Sequence, residues 1–329
     1  MRLNSSQESH EIGEHVSLPE HRPHAFVNPF QLEDLLVFDQ ETLCRVLATH
    51  VLPVHLALSL HGAPPWLVQR CLACIAPVDQ PALLQALARS EEAVQIELAR
   101  HLLLDRCFWE LTYWKTPEMY DELVSGEHLH PGIFEQLTPF LAGKVVLDSG
   151  AGSGRASFEA VRHGATLVYA VEPSPGLRQI LSQKVMASSA RRRIMPLAGD
   201  FAHLPLPAAS VDLALACSAF TTEEGEGGEA GLADLKRVTR PGGYLVLIWP
   251  QVQDRAWLVE HGFHYVTLPM EQEMAVEFSS WQSALRCARH FYAQNEKVIP
   301  YLLQTHQSRL PFSVLGFNAP CDYAWLQVS

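Results

Sequence analysis

The stretch Val145-Val146-Leu147-Asp148-Ser149-Gly150-Ala151-Gly152-Ser153-Gly154-Arg155 decides the fold class expected for this 329-residue chain. Its short apolar run is typical of a buried parallel strand. The run ends in an acid, and the three glycines that follow at alternate positions allow a tight turn and a close approach to a ligand. A helical pattern then runs from about Ser153 to Arg162, and a helix that begins there presents free N–H groups to the turn.

A second acid, Glu172, ends the next apolar run, Leu167–Val171. A carboxylate at the tip of a second strand accepts hydrogen bonds from the ribose hydroxyls in dinucleotide folds. The glycine spacing, however, is G-x-G-x-G and differs from the G-x-G-x-x-G of dinucleotide loops. Asp148 beside the turn would repel a pyrophosphate, whereas it suits a ligand that carries an amine and a sulfonium. The pattern therefore disfavours NAD and a dehydrogenase.

Further along, strands alternate with helical stretches, which predicts a parallel sheet with helices on both faces. Pro173-Ser174-Pro175-Gly176 breaks the second strand and starts a helix from Leu177 to about Ala187. Arg240-Pro241-Gly242-Gly243 reads as a turn before a strand from Tyr244 to Trp249. Ligands of such sheets bind beyond the carboxyl ends of the strands, where we expect Asp148, Glu172, Asp200 and Cys217 to lie.

From about Trp109 to the C-terminus, the chain resembles the class I S-adenosylmethionine-dependent methyltransferases. The resemblance rests on the glycine turn, on Glu172, and on three later segments: Ala198–Phe201, Leu204–Asp212 and Leu235–Leu247. It implies a Rossmann-like α/β sheet, S-adenosyl-L-methionine as the cofactor, and methyl transfer. The cofactor-binding residues that we expect on this basis are Asp148, Gly150, Gly152, Gly154, Glu172, Asp200, Phe201, Cys217 and Tyr113.

The segment from Arg106 to Gln136 is rich in aromatic residues and histidines. Tyr113 and Tyr120 are candidates for packing on the methionine arm, where a sulfonium over a ring is a cation–π contact; the alternative is that these rings join two parts of the protein. A methyl acceptor that must lose a proton early needs a general base, and the candidates are Tyr120, His128 and His130. A structural role is the alternative for each of the three.

Residues 29–105 show no strand signals, only short leucine-rich helical patterns broken by proline and glycine. Glu33–Leu47 and Leu56–Ala63 resemble the armadillo-like modules of FliG-type flagellar rotor proteins, and an unrelated helical bundle is the alternative. Helical solenoids bind other proteins through their faces. We therefore expect a flexible tail at 1–28, a small all-α module at 29–105 that binds a partner or covers the substrate, and a methyltransferase domain at 106–329.

The composition limits the kinds of partner that the protein is expected to bind. The formal net charge is −12, which disfavours nucleic acids and anionic membranes as partners. No apolar run is long enough to span a bilayer. The N-terminus is polar, so we do not expect a secretory signal there. Seven scattered cysteines suggest a reducing cytoplasm. Cys71-x-x-Cys74 lies in a helical pattern without a second pair, so we expect a structural helix and no metal site.

Two functions remain open at this point. The first is methyl transfer from S-adenosyl-L-methionine to a small-molecule or protein acceptor. The second is a cofactor-binding scaffold with little or no turnover, whose helical module is the working surface. Towards the C-terminus, strand-like Tyr265–Leu268, Met274–Phe278 and Asp322–Val328 match the closing antiparallel hairpin of the methyltransferase fold in outline.

Overall fold

The computed structural model describes residues 28–50, 53–89, 92–223 and 226–329. The tail expected at residues 1–28 lies outside the described residues except for Asn28, whose side-chain amide donates to Asp105 Oδ1 at 2.8 Å. Across the described ranges, every helix is too short or too polar to cross a bilayer.

A seven-stranded sheet in the order β3-β2-β1-β4-β5-β9-β6 forms the centre of the molecule. The five strands from β3 to β5 are parallel, and β9 is antiparallel to both of its neighbours. The strands are β1 Val145–Ser149, β2 Leu167–Val171, β3 Ile194–Leu197, β4 Val211–Cys217, β5 Thr239–Ile248, β6 His264–Thr267, β7 Ala275–Glu277, β8 Arg309–Pro311 and β9 Asp322–Gln327.

Helices cover both faces of this sheet, as the alternating pattern predicts. One face buries Ile133, Ala160 and Leu181, and the other buries Leu232 and Leu258, each at most 2% exposed. The helices of this part are α8 Pro131–Leu141, α9 Arg155–Arg162, α10 Pro175–Ala187, α11 Gly228–Val238 and α12 Arg255–Glu260, with a 3-10 turn at Val252–Asp254. The Rossmann-like α/β fold is thereby confirmed.

The N-terminal part is a stack of short helices around its own leucine core. Its elements are a 3-10 helix Leu32–Val37, α1 Gln40–His50, α2 Pro53–Leu60, α3 Pro65–Leu72, α4 Gln80–Leu87 and α5 Ala93–Arg106. Arg100 ties two of them together, because its guanidinium donates to the carbonyls of Ser59 and His61 at 3.0 and 2.8 Å. The core continues through Cys107 and Leu111, past the boundary expected at residues 105 and 106.

Two further segments lie over the carboxyl edge of the sheet. The first is a helical pair, α6 Phe108–Lys115 and α7 Pro117–Gly126. The second is an insert between β6 and β9 that contains β7, α13 Trp281–Phe291, α14 Val298–Thr305, β8 and α15 Phe312–Leu315. Its apolar cluster includes Leu123 of α7, so the insert and the helical pair pack on one another.

The structure corrects three local expectations. Arg240–Gly243 lies within β5, where it forms an irregularity between the pairs Val211↔Thr239 and Leu213↔Tyr244, because a Pro-Gly-Gly run cannot continue a regular ladder. β7 pairs with β8 in a separate two-stranded sheet and not in a closing hairpin.

The third correction concerns the Cys71-x-x-Cys74 segment. Cys71 is buried in α3, whereas Cys74 lies beyond the end of that helix and forms a disulfide with Cys44 of α1. The remaining cysteines of the described residues are free and buried. The stack of helices brings together two cysteines that are 30 positions apart, a pairing that sequence spacing does not reveal.

Candidate functional site

The glycine turn packs directly against the ends of two strands. The N–H groups of Gly150 and Ala151 both donate to the carbonyl of Val171, at 2.9 and 3.0 Å. Gly150 has φ +70°, and a Cβ added there would lie 2.5 Å from the Cβ of Ala219. Only glycine fits this position without moving its neighbour, so the turn leaves bare backbone at the carboxyl edge of the sheet.

Glu172, at the end of β2, is fixed by the turn. Its Oε2 accepts from the N–H of Gly152 and its Oε1 from the N–H of Ser174, each at 2.8 Å. Burial raises its pKa to about 7, against these two hydrogen bonds, which lower it. Each carboxylate oxygen can accept a second hydrogen bond. The group is therefore preorganised to receive two hydroxyl donors.

A cavity of about 550 Å³ opens beside these groups, at the edge where ligands of open α/β sheets bind. It brings together many residues expected to bind the cofactor or to take part in catalysis: Gly150, Gly152, Glu172, Asp200, Phe201, Tyr113 and Tyr120. Oδ1 of Asp200 accepts from the N–H groups of Ala202 and His203 at 3.0 and 2.8 Å, which fixes the start of this loop.

Three other expected cofactor residues lie behind the cavity wall. Asp148 is fully buried beneath the turn, where Ser157 Oγ donates to its Oδ2 at 2.5 Å; its Oδ1 has no hydrogen-bond partner among the described residues. Burial raises the pKa of Asp148 to about 6. Gly154 is the N-cap of α9 and borders a different cavity. Cys217 accepts a hydrogen bond from Arg155 at 3.6 Å. These positions favour a supporting role over direct contact.

α6 and α7 carry an aromatic wall above the turn. The rings of Tyr113 and Tyr120 meet edge to face, with centroids 4.8 Å apart, and Trp109 lies 6.0 Å from Tyr113. A Cβ added at Gly152 would lie 3.4 Å from the Tyr120 ring. Burial raises the pKa of both tyrosines well above the ordinary value. Both phenols therefore stay protonated near neutral pH, which argues against Tyr120 as a general base.

The two histidine candidates are not at this cavity. His128 and His130 line a second cavity of about 710 Å³ on the other side of the Arg155 side chain. His130 caps α8, since its Nδ1 accepts from the N–H of Gly132 at 3.2 Å, and its own N–H donates to the carbonyl of Pro320. His128 is exposed. Neither histidine lines the cavity that Gly150, Gly152 and Glu172 border, so this geometry gives no support to either one as the general base.

An ion pair that the sequence does not signal lies between the two cavities. Glu127 is 7% exposed, and its Oε2 lies 3.2 Å from Arg155 Nη1. The same Arg155 nitrogen donates to the Glu127 carbonyl at 3.1 Å, and the guanidinium lies 5.9 Å from the centroid of the Trp249 ring. Burial raises the pKa of Glu127 and the Arg155 charge lowers it, with burial the larger effect.

The far side of the cavity comes from β5 and from the insert. Trp249, Tyr292 and Phe317 line it, together with Gln251–Gln253 and Asn318. Ser218 and Trp249, at the ends of β4 and β5, have φ of +55° and +54°. Non-glycine residues in this region store about 1–3 kcal/mol of strain each and cluster at functional sites. Both strand ends are thus held in costly geometry where they border the cavity.

No group of three or more histidine, cysteine or acidic side chains in the described ranges is arranged to hold a metal ion. The site is lined by backbone, carboxylates, one ion pair, aromatic rings and several amide and hydroxyl side chains.

The strand order, the glycine turn, and the acid at the end of β2 define the class I fold of the S-adenosylmethionine-dependent methyltransferases. Residues 147–247 match the family model described as a methyltransferase domain. The protein is a methyltransferase of this class, and S-adenosyl-L-methionine is its cofactor. The resemblance expected from the sequence is confirmed, and the scaffold alternative is not favoured.

The chain is also similar to individual proteins and to a solved structure. An uncharacterized methyltransferase of Geobacillus sp. (strain WCH70) is 28% identical over 174 residues, which cover 50% of this chain and 78% of that protein. A histone-arginine methyltransferase, CARMER, of Anopheles gambiae is 47% identical over 64 residues, only 20% of this chain and 10% of that enzyme. A SAM-dependent methyltransferase structure from Aquifex aeolicus aligns with a TM-score of 0.39 at 19% identity, over 50% of this chain and 91% of that one.

Proposed function

We propose that this enzyme methylates a small molecule that enters the same cavity as the cofactor. The observation that carries the proposal is the shared cavity itself, because the glycine turn and the β2 carboxylate border one side and the aromatic insert borders the other. A volume of about 550 Å³ is typical of small-molecule sites, which range over about 300–1,000 Å³. A folded protein acceptor would have to offer an extended side chain to reach the turn.

The sheet edge supplies the cofactor half. In this proposal Glu172 accepts from the two ribose hydroxyls, Asp200 and Phe201 bind the adenine, and the backbone of Gly150 and Gly152 lies against the methionine arm beneath Tyr113 and Tyr120. A Cβ at Gly152 would reduce the space under Tyr120, which supports a close approach of ligand there. When bound, the cofactor supplies a methyl group on positively charged sulfur.

The mouth of the cavity indicates where the acceptor enters. Three large apolar side chains at the cavity wall stay exposed: Trp109 at 42%, Val252 at 56% and Phe317 at 41%. They come from α6, from the loop after β5 and from the insert. An acceptor with an apolar body would cover these side chains while its reactive atom faces the turn. Holding acceptor and methyl group in line and excluding water supply much of the catalysis.

Cofactor binding tests the first half of this proposal. Glu172→Ala removes the acceptor of both ribose hydroxyls, so we expect binding of S-adenosylhomocysteine to weaken by about 1.5–3 kcal/mol. Titration calorimetry measures the affinity, and Glu260→Ala, an exposed carboxylate on α12, is the matched control. Tight binding of NAD together with no binding of S-adenosylhomocysteine would refute the proposal.

The acceptor class needs a separate measurement. We expect label from methyl-labelled cofactor to appear in the small-molecule fraction of a cell extract and not in its protein fraction. Histones serve as a direct comparison, since one relative carries that name. Incorporation into histone or other protein at a rate above that into small molecules would reverse the assignment.

A further inference from the structure

We propose that the acceptor is an amine with an apolar body, and that Glu127 holds its nitrogen and accepts its proton. This inference rests on the proposed function, since it divides the same cavity into a cofactor half and an acceptor half. It is carried by three observations: the charge of the lining, the rings around it, and the fixed position of the Glu127 carboxylate.

The lining is predominantly acidic. Two guanidinium groups, those of Arg45 and Arg155, border the cavity. Five carboxylates also border it: Glu110, Glu127, Glu172, Asp200 and Glu226. Glu172 and Asp200 belong to the cofactor half. Three acids remain for the acceptor half against the two guanidinium groups, and Arg155 is paired with Glu127, so this half carries one more acid than base. An excess of negative charge in a cleft concentrates cations and repels anions, so an acidic or phosphorylated acceptor is disfavoured.

Aromatic rings border the same half. Trp109, Tyr292, Trp249 and Phe317 line it, and the Trp249 ring already has a guanidinium 5.9 Å from its centroid. A cation within about 6 Å of a ring centroid is attracted by the ring's quadrupole. Rings and carboxylates together suit an ammonium head on an apolar body. A neutral alcohol would gain from the apolar body alone.

Glu127 is the carboxylate best placed to act on the nitrogen. Arg155 fixes Oε2 and the main-chain carbonyl, and Arg155 is itself fixed by Cys217 and Trp249. Oε1 of Glu127 accepts no hydrogen bond from any side chain or backbone group in the described ranges. Oε2 is therefore held, and because Glu127 lines the cavity that Glu172 borders, we assign to Oε1 the role of accepting from a donor in that cavity.

The proton balance follows from this arrangement. An ammonium group donates to Oε1 of Glu127 and passes one proton to it, which frees the nitrogen lone pair. The nitrogen then forms the new C–N bond while the carbon–sulfur bond breaks, and that electron pair stays on sulfur. The product is a methylated ammonium and a neutral thioether. Burial raises the pKa of the Glu127 carboxyl, which brings its basicity closer to that required near neutral pH.

A matched substrate panel tests the acceptor class. Phenethylamine and octylamine are each compared with the alcohol and the carboxylic acid of the same skeleton, and transfer of labelled methyl is measured with the wild-type protein. We expect label in the amines at a rate at least tenfold above that in the alcohols, and none in the acids. Equal transfer to the alcohols, or none to either amine while S-adenosylhomocysteine still binds, would overturn the inference. Absence of S-adenosylhomocysteine binding would instead overturn the proposed function.

Replacing Glu127 tests its role as the proton acceptor. Glu127→Gln keeps the size of the side chain and an oxygen for Arg155 but cannot accept the proton. We expect kcat with the amine to fall by about 10²–10⁴-fold, as for a lost general base, while the dissociation constant of S-adenosylhomocysteine changes less than threefold. Glu135→Gln, an exposed acid at the second cavity, is the control. A Glu127→Gln enzyme that is folded by circular dichroism and retains its rate would contradict the assignment.

Discussion

Glu172 shows how much one side chain can depend on its surroundings. It accepts two backbone hydrogen bonds that favour the charged form, yet complete burial overrides them and raises its pKa to about 7. A carboxyl group with this pKa is partly protonated near neutral pH. Because both oxygens already accept an N–H, the ionised form is the one that can accept ribose hydroxyls as well.

Cofactor affinity should therefore depend on pH. If only the ionised form of Glu172 binds, affinity for S-adenosylhomocysteine rises about tenfold from pH 6 to pH 8, since the carboxyl loses its proton across that range. Calorimetry at several pH values measures the slope. Glu172→Gln should bind weakly with no such slope, and an unchanged slope in this variant would assign the titration to another group.

The site residues predicted from the sequence differ from those that the structure brings together more than the predicted elements differ from the observed ones. Glu172, Gly150 and Gly152 could be predicted because their roles follow from the local strand and turn that carry them. Glu127 could not be predicted, because its partner Arg155 lies 28 positions away in the sequence. Its backbone also forms a β-bridge with Val276 in the insert, which no local pattern reveals. The neighbouring histidines were the more obvious candidates for acid–base chemistry, but one caps a helix and the other faces solvent.

The elements α6 and α7 border the cavity that we assign to the cofactor. Between them, Ser174 Oγ donates to the carbonyl of Tyr113 at 2.6 Å, and the Lys184 side chain pairs with Asp121. The helical pair is thus attached to the loop after β2 and to α10, the two elements that follow Glu172 in the chain. We propose on the basis of these contacts that residues 113–130 form a lid over the cofactor.

Limited proteolysis tests the lid. Lys115 at the end of α6 has a side chain that is 43% exposed, and trypsin cleavage after it should slow at least several-fold when S-adenosylhomocysteine is bound, because local opening becomes rarer. Cleavage in the exposed turn at Arg191–Arg192, remote from the cavity, is the internal control. Identical rates at Lys115 with and without ligand would argue against ordering on binding.

At the scale of elements, apolar runs located the central strands well, since β1 and β4 are buried on both faces. They failed where pairing depends on distant partners. β7 has the composition of a sheet strand, but its partner β8 lies more than thirty residues further on in the insert, and no local pattern states which strands will meet.

On the scale of the whole molecule, the helical stack and the sheet share one element. Cys107, the residue before α6, and Leu111 of α6 belong to the helical core, while Trp109 and Tyr113 of α6 border the cavity. The two apolar clusters of the sheet contain no residue before Ile133. We propose that the helical module covers the active site through α6, and that the sheet domain has a core of its own.

Removing residues 1–105 tests this division. The sheet should remain folded, because its own clusters are intact, but α6 would expose Leu111 and lose its order, since burying such a side chain contributes about 1.5–3 kcal/mol. We expect circular dichroism to retain the α/β signature and S-adenosylhomocysteine affinity to fall at least tenfold. A truncated protein without a cooperative thermal transition would mean that the two parts fold only together.

The insert enters and leaves the sheet at adjacent points, because Thr267 of β6 pairs with Asp322 of β9. Whatever lies between them, the two ends stay one strand spacing apart, about 4.7–4.9 Å. Residues 268–321 can therefore be exchanged or lengthened without altering strand order, while the groups assigned to the cofactor lie elsewhere in the chain. The apolar part of the acceptor site is in this way separable from cofactor use: a graft of this one segment between related enzymes would exchange the rings of Tyr292 and Phe317 and leave Glu127 and the methyl donor unchanged.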